Sequence, residues 1–293
     1  MPGAPSASSL TPAYTLRDCR SADLPPIVLA SPHSGRSYPD AFLNELACQE
    51  VDLRRAEDAW MDRIAGHAAE RLDLPLIAAR WGRTFLDLNR AAGELDPAVV
   101  EDVPAGPQSD RLRAGLGVIP RVATPGVNLY RRRLNSREAR ERIEAVHGHY
   151  HRALAQLLAR ARGAHPAVLL IDCHSMPPLR RSPGGGADIV IGDRHGTSCR
   201  PDIVEALEAS LSRYYAVCRN TPYAGGFTTQ HYGRPEDGVN VLQVEISRSL
   251  YMDLTTLLPA RGIESVSARL CAAISELVPL LRAGGERLPL AAE

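Results

Sequence analysis

Apolar residues recur along this 293-residue chain in short blocks that alternate with longer amphipathic stretches. Ile27-Val28-Leu29-Ala30 is a compact apolar run and predicts a buried strand over 26–31. A helical pattern follows over 40–72, carried by Leu43, Leu46, Val51 and Leu53 and then by Trp60, Ile64 and Leu72. Pro75-Leu76-Ile77-Ala78-Ala79 reads as a second strand, and Thr84-Phe85-Leu86-Asp87-Leu88 as a third that ends at Asn89-Arg90. Residues 91–128 carry Gly, Pro and Asp throughout, and a loop that long inside a compact domain is usually functional or partly disordered. Ser136 is the expected N-cap of a helix to about 162, whose apolar stripe is Ile143, Val146, Tyr150, Leu154 and Leu157. Strands are expected at 167–171, 188–192 and 239–246, a turn at 182–186, and helices at 201–214 and about 260–283. Strands separated by helices, without a repeat or a linker, imply one three-layer α/β domain over 13–293. The Ala-, Ser- and Pro-rich residues 1–12 read as a disordered tail.

Composition narrows the function classes. An apolar share of 44% with 23% charged residues is that of an ordinary globular domain, and no apolar run approaches the ~18–20 residues of a membrane span. The net charge is zero, so no field draws in nucleic acid or an anionic membrane. All 34 basic residues are arginine, which excludes a phosphate-loop lysine and any lysine Schiff base. Positive charge at a site must then come from arginine or a metal. Six scattered cysteines without a Cys-x-x-Cys pair read as free thiols in a reducing compartment, and residues 1–12 lack the pattern of a signal peptide. Both point to the cytoplasm.

Two of the apolar runs end in histidine. Ser31-Pro32-His33-Ser34-Gly35 follows the first strand, and Asp172-Cys173-His174-Ser175 follows 167–171. A strand that ends this way delivers an imidazole to the carboxyl edge of a sheet, where open α/β folds bind ligands. Two such strands suggest one shared site. A hydrolytic zinc centre needs three protein ligands and an open position, so His33 and His174 lack a carboxylate, which either Glu57 or Asp58 could supply. Glu245 leaves an otherwise apolar strand; burial would raise its pKa and suit it to proton transfer, whereas pairing with Arg248 would make it structural. His147 and His151 have the i,i+4 spacing of a metal pair, but no glutamate follows as in His-Glu-x-x-His, and core or supporting roles are expected. His231 stands in a Gly- and Thr-rich loop. Arg90, Arg131, Arg234 and Arg248 are candidate anion clamps, with Asn89-Arg90 favoured because it ends a predicted strand. Nothing marks Cys173 as an activated thiol.

Taken together, runs 31–35, 57–63, 87–90, 115–120, 150–151, 172–177, 188–196 and 225–253 resemble the N-formylglutamate amidohydrolase (deformylase) family. The most specific is the last, with Gln243-Val244-Glu245-Ile246-Ser247-Arg248 and Leu250-Tyr251-Met252-Asp253. The resemblance implies a zinc-carboxypeptidase-like (phosphorylase/hydrolase-like) fold with a mixed sheet between helical layers. It further implies one Zn²⁺ held by His33, Asp58 and His174, with Glu245 as the general base. Asn89 and Arg90 would grip a carboxylate of a small N-acyl acidic amino acid, with Arg131 and Arg248 kept beside them as candidate clamps from the residues alone. The implied reaction is hydrolysis of N-formyl-L-glutamate to L-glutamate and formate, of the kind used in histidine degradation. The wider group often has His-x-x-Glu, but Arg36 stands three residues after His33 here. A deacylase or carboxypeptidase of other specificity, and a non-catalytic binding protein of the same fold, are the rival expectations.

Overall fold

A computed structural model describes residues 10–21, 24–104, 108–179 and 186–283. Its centre is a seven-stranded mixed sheet in the order β1-β3-β2-β6-β9-β7-β8. These strands are β1 (Tyr14–Arg17), β2 (Ile27–Ser31), β3 (Leu76–Ala79), β6 (Val168–Met176), β7 (Ile189–Gly192), β8 (Val217–Arg219) and β9 (Val239–Ser247). A separate hairpin joins β4 (Val122–Thr124) to β5 (Val127–Asn128). The inner strands β3, β2, β6 and β9 run parallel, while β1 and β7 are antiparallel to β3 and β9. Parallel strands covered on both faces read as continuous apolar runs, which is why β2 and β6 were visible as uninterrupted hydrophobic blocks.

The helices are α1 (Asp40–Asn44), α2 (Glu50–Ala56), α3 (Met61–Leu72), α4 (Asp110–Arg113), α5 (Ser136–Arg142), α6 (His149–Ala164), α7 (Pro201–Ser212), α8 (Phe227–Tyr232) and α9 (Gly262–Arg282). α3, α7 and α9 cover one face, packing Ile64, Ile203 and Leu270 against Leu29, Ile171 and Val244. On the other face Tyr150, Leu154 and Leu157 of α6 meet Val28, Leu170 and Val241. The result is the expected three-layer α/β arrangement with a central mixed sheet.

Several boundaries differ from expectation, each for a tertiary reason. The stretch 40–72 is three helices. Ala47 donates its N–H to Leu129 O at 2.9 Å, Asp58 donates to His33 O at 3.0 Å, and Trp60 adopts a left-handed φ of 69°. Residues 84–88 form a turn and no strand, because Phe85 and Leu86 donate back to Gly82 O, at 2.9 and 3.3 Å. Asn135, not Ser136, caps α5, its side chain accepting the Glu138 N–H at 2.8 Å. A π-helical segment, Ile143–Gly148, joins α5 to α6. β1, β8 and α8 lacked a usable periodic signal. Residues 1–9 and most of the turn at 182–186 lie outside the described residues, whereas Leu10 is buried and its carbonyl accepts the Trp81 indole N–H at 2.8 Å.

Candidate active site

Side chains alternate between the two faces of a strand, and here that alternation sorts chemistry from core. On the α6 face, β6 presents Val168 and Leu170 and then Asp172 and His174, while β9 presents Val241 and then Gln243 and Glu245. The parallel register sets His174 opposite Glu245 and Asp172 opposite Gln243. The carboxyl ends of the central strands are therefore polar on the same face whose other half is apolar core. His33 joins them from the turn just after β2, and Asp58 from the turn between α2 and α3, its backbone tied to His33.

His33, Asp58 and His174 are all buried, and their ligand atoms lie within 4.8 Å of one another. Asp58 Oδ2 sits 3.0 Å from His174 Nδ1 and 3.5 Å from His33 Nδ1. The far nitrogens are held by other carboxylates: His33 Nε2 lies 2.7 Å from Asp87 Oδ1, and His174 Nε2 lies 2.9 Å from Asp172 Oδ2. Such carboxylates fix ring orientation and raise ligand basicity in metal sites. Asp58 Oδ1 faces away from the rings and accepts from Arg248 at 3.1 Å and Ser175 at 3.2 Å. His33 Nδ1 is buried with no hydrogen bond, an unsatisfied lone pair or proton aimed at the Asp58 carboxylate. That orphan atom, the pair of oriented rings and the inward Asp58 oxygen fit a divalent cation.

Charge is concentrated behind the cluster. Burial alone would raise Asp58 and Asp87, yet His174 and His33 hold the first, and His33 and Arg83 the second, well below the usual carboxylate range. Burial would likewise lower His174, but Asp172, Asp58 and Glu245 carry it well above the ordinary imidazole value. Glu245 behaves oppositely: burial pushes it up to about 7, against the pull of His174. Gln243 Nε2 donates to its carboxylate at 3.0 Å. A cavity of about 160 Å³ opens in front of these groups, with Arg83, Arg90, Arg111, Tyr223 and Arg248 in its wall.

The family model for N-formylglutamate amidohydrolase matches residues 25–252. The chain belongs to that family. Among its relatives, an N-formylglutamate deformylase of Pseudomonas aeruginosa is 31% identical, over 89% of this chain and 94% of that one. One from Pseudomonas putida is 28% identical, over 78% and 83%. The crystal structure of N-formylglutamate amidohydrolase from Ralstonia eutropha superposes with a TM-score of 0.86 at 32% identity, covering 93% of this chain and 99% of that one.

In this family member the other sequence candidates separate cleanly. Glu57 is not in the cluster; Tyr38 donates to it at 2.8 Å and Arg54 at 3.0 Å, so Asp58 is the carboxylate beside both rings. Asn89 lines the cavity, but its amide is engaged: Nδ2 donates to Asp172 at 3.2 Å, and Oδ1 accepts the Thr228 N–H at 2.8 Å. These bonds tie the cluster to α8. Gly226 allows this approach, since a Cβ there would lie 2.4 Å from Asn89 Nδ2. Arg90 does line the cavity, anchored through Nε to Leu116 O at 3.0 Å and Nη1 to Asn89 O at 2.8 Å. Arg248 lines it too, but pairs with Asp58 and not with Glu245. Arg131 is exposed beside Arg132 and Arg133 in a different depression, and Arg234 bonds carbonyls of its own turn. The placement of Arg131 at the site is therefore corrected.

His147 and His151 support the 88–90 segment, their Nε2 atoms each 2.9 Å from Arg90 O and Leu88 O respectively. Cys173 points to the opposite face and burial pushes its thiol up, which leaves it inert. His231 stacks on Phe227 at the surface of α8. Arg83, Asp87, Arg111 and Asp172 were missed. Asp87 and Asp172 stood inside the quoted motifs, two residues from Asn89 and His174, so strand alternation could have flagged Asp172.

Proposed function

We propose that this chain is a divalent-metal, most simply zinc, amidohydrolase that converts N-formyl-L-glutamate to L-glutamate and formate, an activity of the kind histidine breakdown uses. The observation that carries it is the buried His33–Asp58–His174 cluster set across one strand pair from Glu245, in a small arginine-walled cavity. The names of the relatives supply the substrate. A cation held by His33, Asp58 and His174 would polarise the formyl carbonyl and lower the pKa of water.

The chain's own groups do the rest. Glu245, held near pH 7 by burial, is poised both to accept and to return a proton. It takes a proton from the attacking water as the C–O bond forms at the formyl carbon. It then gives that proton to the nitrogen as the C–N bond breaks, so glutamate leaves as a neutral or protonated amine and formate takes the oxygen. Arg83, fixed by Asp87 at 2.8 Å and 4.0 Å from Asp58, lines the cavity beside the cluster and is suited to the negative charge developing on the carbonyl oxygen. Arg90 grips a substrate carboxylate. The cavity, about 160 Å³, is of a size for a short acyl amino acid. Free cysteines support residence in a reducing compartment such as the cytoplasm, and among the described residues no helix is long and apolar enough to cross a membrane.

The test pairs metal analysis with formate release from N-formyl-L-glutamate, with and without a chelator. Stoichiometric metal and chelator-sensitive release are expected. Full activity of metal-free protein would remove the proposed mechanism, and equal rates on N-acetyl and peptide substrates would remove the proposed specificity.

A further inference from the structure

Four guanidinium groups face the cavity, and they are not equivalent. Arg83 is paired with Asp87 at 2.8 Å, and Arg248 with Asp58 at 3.1 Å. Arg90 and Arg111 make no ion pair within 4.0 Å among the described residues; their hydrogen bonds go only to backbone carbonyls. Arg111 sits on α4, inside the long 91–128 connection, and reaches over the rim to Gly225 O at 3.4 Å. Gly225 holds a φ of +127°, which only glycine adopts readily. Burial lowers Arg90, and Arg83 and Arg111 add to this as like charges, against the pull of Asp87 and Glu94. Two guanidiniums of like charge, neither with a carboxylate within 4.0 Å among the described residues, face one small cavity and favour an anion there.

We propose that Arg111 is the specificity residue for a second carboxylate of the substrate, so that Arg90 and Arg111 together select a dianionic N-acyl amino acid over a monoanionic one. Depth assigns the two. Arg90 adjoins Asn89, whose amide lies 3.1 Å from His174, so it takes the carboxylate nearest the scissile bond. Arg111 stands at the rim on exposed α4 and takes the distal one. This rests on the amidohydrolase reading above, and it gives that reading its preference for glutamate. A bare apolar or neutral side chain would leave Arg111 without a partner, the kind of mismatch that discriminates strongly.

The experiment compares wild type, Arg111→Gln and Arg111→Lys on N-formyl-L-glutamate and N-formyl-L-glutamine. A charge-assisted hydrogen bond is worth enough that Arg111→Gln should lose about 10- to 100-fold in kcat/KM on the glutamate compound, mainly through KM. The same variant should change less than about threefold on the glutamine compound, and Arg111→Lys should recover part of the loss. Arg113→Gln, on the same short helix but outside the cavity wall, should behave as wild type. Equal losses on both substrates would overturn the proposal. Calorimetric binding of glutarate and butyrate gives a readout without turnover. Wild type should prefer glutarate, and Arg111→Gln should lose that preference. If wild type hydrolyses neither formyl compound, the functional reading fails, while the dicarboxylate preference still decides the role of Arg111.

Discussion

Two pairs of histidines, all buried but the half-buried His151, lie on the same side of the sheet, with ring centroids 4.7 Å apart for His33 and His174 and 4.1 Å apart for His147 and His151. Their surroundings differ completely. Asp58, Asp87 and Asp172 contact the first pair, and against burial Asp172, Asp58 and Glu245 keep His174 well above its ordinary value. Among the described residues the second pair hydrogen-bonds to two carbonyls and the Tyr232 hydroxyl, and burial drives His151 down to about 3. Spacing alone would favour His147 and His151, which share a helix and lie four residues apart. The pairs differ in the partners of the outer nitrogen, carboxylates for one and carbonyls for the other, and not in the proximity of the two rings. A ring whose Nε2 is spent on a carbonyl supports the backbone; a ring whose Nε2 is spent on a carboxylate offers a basic Nδ1.

The largest effect is expected at the proton carrier between those two settings. Glu245→Gln should lower kcat by about 10²- to 10⁴-fold while leaving metal content unchanged. The reaction needs the ionised carboxylate, so the wild-type rate should fall as pH drops through about 7, and this limb should vanish in the variant. Retention of the limb in Glu245→Gln would assign it to another group.

Next in size is the carboxylate behind His174. Asp172→Asn should weaken metal affinity by about 10- to 100-fold, measured by competition with a chelating dye. An unchanged affinity would mean that Asp172 does not orient the ring, and the comparison above would lose its basis.

The smallest effect belongs to the second pair. His151→Gln should leave metal content intact and raise KM by several-fold, because its contact with Leu88 O positions the neighbouring Arg90. Sign follows from its depressed value: the unfolded imidazole binds a proton near 6.5, the folded one only near 3, so the folded protein loses stability as pH falls between them. Urea unfolding of His151→Gln should show a flatter dependence across that window. A variant as pH-sensitive as wild type would place the titration elsewhere.

These particulars also show what a reader of the sequence could reach. The strands that carry His174 and Glu245, and the one that leads to His33, announced themselves as apolar runs, because a strand buried on both faces has no polar positions until it leaves the core. Asp58 was placed correctly beside two histidines only through the family resemblance; the helix in which it was expected is broken by contacts with His33 and Leu129 that no local pattern encodes. Thr84 to Leu88 carried a strand-like composition, yet a turn closing on Gly82 wins, which changes how Asp87 reaches His33. Arginine was the hardest residue to place. With 34 in the chain, Arg83 and Arg111 looked no different from Arg131, and only the fold separates a cavity wall from an exposed face.

The central claim is that the carboxylate-flanked pair, and not the carbonyl-flanked pair, holds the catalytic cation. Metal content and formate release measured side by side on His33→Ala and His151→Gln test it most directly. The account predicts that His33→Ala loses its metal and on the order of 10³-fold in rate, the several kcal/mol that a Lewis acid supplies, while His151→Gln keeps a full complement. A metal-replete, active His33→Ala protein, or a metal-free His151→Gln protein, would contradict it.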